Sequence, residues 1–289
     1  MCDQLPDTFV KPQIESIPQS QLALGEEAGY FEVAGTHLYT VLHQVSKPLA
    51  RVLLVGPFAS ERQNSYLPWV RWARYLAARR FEVLRYDYRG VGESLGRFEE
   101  ATFKDWSDDL QVLGEWFMKR EPTLPLLLHG LEIGGLLASR SFQSGMGNAL
   151  LLWSPPADAK QALRSTLLRW VGLEQLLKPG AERRSAGDYI RELEQGNSIE
   201  VEGYQWSARL WRDAFSWKLP AEISNASDAR VGQRPVSVVK LPKEAAPLVK
   251  GGFVGADEVK DFNWLFAENA KWIQAQFDLF ERGAHEAGN

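Results

Sequence analysis

Four apolar runs, each closed by glycine or proline, restrict this chain to few architectures. They are "ARVLLVGPF", "FEVLRYDYRG", "PLLLHG" and "NALLLWSPP". Continuous apolarity, without polar alternation, is what a strand buried on both faces requires. Between them, "YLPWVRWARYLAARR", "DWSDDLQVLGEWFMKR" and "GGLLASRSFQS" read as helices. The first carries Trp69, Trp72, Leu76 and Ala77 at helical spacing, and the second carries Trp106, Leu110, Leu113 and Phe117 on one side. This alternation predicts an α/β fold: a mostly parallel sheet with right-handed crossovers and helices on both faces. Ligands of such sheets bind beyond the C-terminal strand ends. Those ends are Gly56-Pro57-Phe58, Asp87 to Ser94, His129 to Gly134 and Ser154-Pro155-Pro156.

The rest of the chain divides around that core. Residues 1–25 read as a loose arm, and "GYFEVAG" with "THLYTVLHQV" reads as a hairpin turning at Gly35. The core is expected over 26–156 and 220–282. Residues 157–219 break the alternation with three helical patterns and the tryptophans Trp170, Trp206, Trp211 and Trp217. An all-helical insertion there would cap the sheet's C-terminal edge. "AEISNASDARVGQ" reads as a polar loop, "RPVSVVKLP" as a further strand, and "FNWLFAENAKWIQAQFDLF" as a closing amphipathic helix before a tail at 283–289.

Composition narrows the partners. The net charge is -4 over 289 residues, and no segment carries a basic stripe. Nucleic acid is therefore not expected as a partner, since phosphate binding needs clustered Lys and Arg. No apolar stretch approaches the roughly 20 residues of a membrane helix, so no membrane partner is expected. Cys2 is the single cysteine, which suits a reducing compartment. No Cys/His cluster has zinc-ligand spacing, and neither a metal nor a cofactor is expected. The N-terminus lacks the pattern of a signal peptide; a cytoplasmic location is the expectation.

The stretch "PLLLHGLEIGGLLA" outlines a strand, a sharp turn and a helix. Gly130, Gly134 and Gly135 let strand and helix approach closely. Glu132 stands at the turn's tip, aimed at the pocket, and the Ile133 amide opens the helix where the dipole favours negative charge. His129 and Leu131 flank the turn on its strand side.

Two stretches carry a family resemblance. "LRYDYRGVGES" resembles the Asp-x-Arg-Gly-x-Gly-x-Ser segment of the α/β-hydrolase superfamily, and "LHGLEIGG" resembles its nucleophile elbow. The likeness runs from Gly29 through Phe277. The stretch from "GPFASERQNS" to "YRGVGES" is similar to the serine aminopeptidase-like branch. More narrowly, it and "EVEGYQWSARLWRDAF" are similar to hydrolase-like proteins associated with exosortase and exopolysaccharide systems. The resemblance implies that Glu132 occupies the nucleophile position, where a serine would act. It also implies that the amides of Phe58 and Ile133 form an oxyanion-hole-type pair.

One part of the implied machinery has no candidate, and a second has candidates by region alone. The family's histidine lies between the last strand and the last helix, and "KLPKEAAPLVKGGFVGADEVKDFNW" has none. Of the four histidines, His37 and His43 fall in the hairpin, His285 in the tail and His129 in the elbow strand. His129 suits a structural hydrogen bond, and the others suit the surface. For the acid, only one strand is recognisable where two are expected, and Asp228, Glu244 and Asp257 qualify by region alone. Asp87 and Ser94 suit bracing of the turn around Arg89 and Gly90.

Besides a purely structural scaffold or dimer subunit, which exposed aromatics of the cap would motivate, two functions remain open on these residues. One is a non-catalytic homologue that binds a small ligand or a protein partner, with Glu132 ionised at neutral pH and the pocket mildly anionic. The other is an ester or peptide-type hydrolase that uses Glu132 as nucleophile or general base. The oligomeric state is left open.

Overall fold

Side chains that read as buried strands are buried in the computed structural model, which describes residues 25–177, 183–224, 226, 229–242, 245 and 262–286, with side chains as far as residue 278. The chain begins with a hairpin, Glu26–Val33 (β1) and Thr36–His43 (β2). Ala34 and Gly35 both have positive φ, which suits a two-residue turn to the twist of the flanking strands. Ala50–Val55 (β3), Phe81–Tyr86 (β4), Leu126–Leu131 (β5) and Ala149–Trp153 (β6) are buried at every position. They alternate with Ala59–Ala77 (α1), Phe103–Lys119 (α2) and Ile133–Gln143 (α3). After β6 come Ala159–Leu177 (α4), Ala186–Glu194 (α5), Ile199–Val201 (β7), Tyr204–Trp206 (β8), Ala208–Asp213 (α6) and Ala221–Ser224 (α7). Ala229–Val231 (β9), Arg234–Val239 (β10) and Asn263–Glu286 (α8) complete the described chain.

One eight-stranded sheet runs in the order β1-β2-β4-β3-β5-β6-β10-β9. The pairs β4–β3, β3–β5, β5–β6 and β6–β10 are parallel, and both edges are antiparallel. Strand residues alternate between two apolar layers. Val52, Leu54, Leu127 and Leu131 pack under α1 and α8 with Trp69, Trp72, Phe266 and Phe277. Leu53, Val55, Leu128 and Leu152 face α2 and α3, with Leu110, Leu113, Leu136 and Leu137. The fold is therefore the α/β-hydrolase fold that the alternation and the resemblance imply.

Several expectations need correction. The first helix starts at Ala59, before "YLPWVR", and carries Pro68 inside it, where one backbone hydrogen bond is forgone. The segment after β6 is not all-helical: β7 and β8 form a hairpin turned by Glu202 and Gly203, both at positive φ. The "polar loop" after it contains α7 and β9. β9 is the second strand of the far edge, but it precedes β10 and pairs with it antiparallel. Helix α8 continues to Glu286, so most of the presumed tail is helical. His43 is buried rather than at the surface. The arm lies almost wholly outside the described residues, as do Asp228, Glu244 and Asp257.

The segment after β6 lies over the C-terminal ends of β3 and β5. Trp206 packs edge-on against Phe58 at 5.5 Å, and Tyr204 meets Phe98 at 4.8 Å. Leu163, Leu167, Trp206, Leu210 and Trp211 belong to the same apolar layer as Phe58, Trp106 and Leu137.

Candidate functional site

The turn at Glu132 is as tight as its glycines suggest. Glu132 has φ 53° and ψ -125°, a conformation that non-glycine residues seldom adopt and that marks functional sites. A Cβ at Gly134 would stand 2.2 Å from the Gly56 carbonyl oxygen, and one at Gly130 would stand 2.5 Å from the Gly135 Cα. Only hydrogen fits at either place. The close approach brings the start of α3 against the loop that follows β3.

That closeness fixes what surrounds the Glu132 carboxyl. Its Oε2 accepts the Ile133 N–H at 2.5 Å. The Phe58 amide lies close enough to this carboxyl to favour its charged form. Of the two amides implied as an oxyanion-hole-type pair, that of Ile133 is taken by the side chain of Glu132 itself, and that of Phe58 lies beside the same carboxyl. Phe58 is the N-cap of α1, and its ring is locked among Phe98, Phe103, Trp106 and Trp206.

A second carboxyl sits close by. Glu61, in the first turn of α1, is 3% exposed. Its Oε1 accepts from Thr166 Oγ1 at 2.8 Å and from Arg169 Nη2 at 2.7 Å, and its Oε2 accepts from Ser60 Oγ at 3.1 Å. Arg169 also grips Glu202, with Nε and Nη2 each at 3.0 Å. Burial works against the charge on Arg169, but its bonds to Glu202 and Glu61 outweigh this and raise its pKa.

These neighbours decide the charge on Glu132. Burial, and then the negative charge of Glu61, push its carboxyl up to about 8, against weaker opposing pulls from the Ile133 and Phe58 amides and Arg169. The residue keeps some solvent contact, so a proton can exchange with bulk water. Glu132 is therefore mostly protonated at neutral pH, which corrects the expectation of an ionised carboxylate and a mildly anionic pocket. Tyr88 lies near enough for Glu132 to help raise its pKa, after burial, and donates to the Gly56 carbonyl at 2.6 Å.

The other expected site residues lie elsewhere. Leu131 is fully buried in the layer under α1 and α8. His129 points into the same layer, ringed by Trp69, Trp72 and Trp153, with Nδ1 3.0 Å from the Leu151 carbonyl oxygen. Burial holds its pKa down at about 3, so it stays neutral. Neither residue lines the space in front of Glu132. Asp87 and Ser94 brace the loop after β4: Ser94 Oγ donates to the Asp87 carbonyl and accepts the Tyr39 N–H, and Asp87 Oδ2 accepts the Glu93 N–H. His37 and His43 lie on β2. Glu61, Thr166, Arg169 and Glu202 had no signal in the sequence. "SERQ" reads as an ordinary helix start, and the four meet only through tertiary packing. Among the described residues no helix is long and apolar enough to cross a membrane.

Comparison with known proteins sets this geometry in context. The family described as "Serine aminopeptidase, S33" matches residues 64–228, more than half of the chain. No curated protein matches. The solved α/β hydrolase GrgF from Penicillium sp. sh18 is similar at 18% identity, with a TM-score of 0.53 over 90% of this chain and 99% of that one. Est1E from Butyrivibrio proteoclasticus, solved with ferulic acid bound, is 17% identical, with a TM-score of 0.51 over 74% of this chain and 88% of that one. XC6422 from Xanthomonas campestris, described as an α/β serine hydrolase without lid, is 23% identical with a TM-score of 0.40; the match covers 47% of this chain and 63% of that one, less than two thirds of its length. At these identities the likeness is one of fold.

Proposed function

The chain belongs to the S33 serine aminopeptidase family of α/β hydrolases, and from that premise we propose that it is a non-catalytic member, kept for binding rather than turnover. The observation that carries this reading is the Glu132 carboxyl, which takes the Ile133 N–H and lies beside the Phe58 amide. In an acyl-transfer enzyme such amides must be free to receive the oxyanion that develops in the transition state. Here a side chain of the protein already takes one of them and crowds the other. No histidine occurs in 240–264, the stretch where the family's base is expected. Among the described residues no imidazole adjoins Glu132. The ligand would be a small neutral molecule at the elbow, or a protein that meets the segment over it. The narrower likeness to exosortase-associated hydrolase-like proteins is part of the same proposal.

The opposite reading, Glu132 as general base or nucleophile, draws on one observation. A carboxyl that titrates near 8 is poised for proton transfer at working pH. It needs a second group to hydrolyse or activate, and the neighbours on hand are Glu61, Thr166 and Arg169, which already satisfy one another. A panel of acyl esters and aminoacyl amides separates the readings. The wild type, Glu132→Gln and Glu132→Ser are all expected to leave the panel unturned. Turnover by the wild type that disappears in Glu132→Gln would overturn the non-catalytic reading.

A further inference from the structure

Five oppositely charged side chains crowd the space where β2 and β4 pass beneath α1. Four of them pair off. Arg62 grips Asp87 through Nε and Nη2 at 2.8 and 2.7 Å, and Arg74 grips Glu26 through Nε and Nη2 at 2.6 and 3.1 Å. Arg85 is left over. It is 8% exposed, and among the described residues no carboxylate lies within ion-pair distance of it. His43 is its nearest polar neighbour and supplies no counter-charge. Its Nε2 accepts the Arg85 Nε–H at 3.3 Å while its Nδ1 faces Glu26 at 3.3 Å. Burial, then Arg85, hold the His43 pKa down at about 4 against the pull of Glu26, so the ring is neutral. The exposed Glu93 lies beside Tyr39, at the margin of the cluster.

The terminal nitrogens of Arg85 make no hydrogen bond to any described residue. A guanidinium is charged at every accessible pH. The terminal nitrogens of Arg85 are not sealed from solvent, so their donors are open to an anion that arrives from outside. Arg85 also forms one wall of a recess of about 20 Å³, together with Arg62, Ser65, Tyr66, Trp69 and Tyr86. That is enclosed room for about one carboxylate oxygen, with the rest of the group lying at the mouth of the recess beside Tyr66. The Tyr66 ring lies beside both guanidiniums, 4.7 Å from Arg62 and 5.6 Å from Arg85 at its centroid. The ring is itself 39% exposed, so the recess lies close to solvent. The Asp87 carboxylate, on the same wall, is occupied by Arg62 and by the Glu93 N–H.

We propose that this recess is a monoanion site, in which one carboxylate group docks on the free terminal nitrogens of Arg85. The planar fork of a guanidinium matches a carboxylate in two parallel hydrogen bonds. The group is either a free small anion or the end of a larger molecule that reaches in from the surface. Glu132 does not line the recess, although Gly56, Pro57 and Tyr88 form its wall toward the elbow, and the proposal stands whether or not the elbow is catalytic.

Calorimetric titration of the full chain with formate tests it, with ionic strength held by a bulky sulfonate salt. One-to-one, saturable binding is expected, with a matching rise in the thermal midpoint. Arg85→Gln should abolish both. Without formate, Arg85→Gln should melt close to the wild type, because the terminal nitrogens it removes bond to no described residue. Should that variant fail to fold, Arg85→Lys gives the answer: it keeps the charge but loses the fork, and binding should weaken by at least about tenfold. Titration with hexanoate and N-acetylglycine distinguishes the sources, since tighter binding marks the end of a larger ligand and equal or weaker binding marks a free anion. Non-saturable heat in the wild type, or undiminished affinity in either Arg85 variant, would overturn the proposal.

Discussion

At the scale of one residue, the protonation of Glu132 links the elbow to stability. Its folded pKa stands near 8 against an ordinary 4.5, first through burial and then through Glu61. Below about 4.5 the folded and unfolded chains both carry the proton, and the contribution to stability is complete. Between 4.5 and 8 only the folded chain holds it, so stability drains away as pH rises through that window. The slope is at most on the order of 1.4 kcal/mol per pH unit, and partial solvent contact reduces it. Glu132→Gln carries no titrating group and should lack this slope. Urea unfolding at intervals from pH 5 to 9 should show the variant gaining on the wild type up to about pH 8 and levelling off beyond it. Parallel profiles would exclude the raised pKa. The position of Glu132 was legible, because three glycines and an apolar strand frame it. Its charge was not, because Glu61 and Phe58 reach it only through the fold.

Secondary elements show the same division between local pattern and tertiary context. The buried strands and α2 could be read directly, because continuous apolar runs and a 3.6-residue period are local signals. Helix α2 even carries its start signal, a capping box between Thr102 and Asp105. The hairpin of β7 and β8 was missed because three-residue strands are too short to display alternation. Its available signal was the Glu202-Gly203 turn between apolar neighbours, the same pattern as Ala34-Gly35 in the hairpin that was found. Glycines make the point testable. In Gly134→Ala the new Cβ would lie 2.2 Å from the Gly56 oxygen and 2.3 Å from the Val55 oxygen, both backbone atoms that cannot swing aside. A loss on the order of 3 kcal/mol is expected. Gly172→Ala, within α4, meets nothing within 4 Å. It should stabilise by roughly 0.5 to 1 kcal/mol, as removal of a helix-interior glycine does. Equal effects in denaturant titration would contradict the close packing of strand and helix at the elbow.

Across the whole molecule, the segment after β6 is bound to the core by two kinds of contact. The apolar layer runs unbroken from Leu137 and Trp106 into Leu163, Leu167 and Trp211. Arg169 supplies the polar connection, joining α4 to α1 through Glu61 and to the β7–β8 turn through Glu202. Helical periodicity showed that the segment exists, but nothing in it showed which residues face the elbow. Replacing Arg169 by Met would strip the buried Glu61 of its charged partner. The expected cost is about 3 kcal/mol, the range for breaking a buried ion pair from one side. A double-mutant cycle with Glu61→Gln should return a coupling of roughly 1 to 3 kcal/mol. Two further readouts separate a true clasp from a merely destabilised fold. Hydrogen exchange should rise across 159–217 before it rises in β3, β5 and β6, because the clasp holds that segment down. The alkaline end of the Glu132 window should also move above 8, because Arg169 is one of the groups holding that pKa down. If exchange rose uniformly and the window stayed in place, Arg169 would be stabilising the molecule without clasping the segment to the elbow.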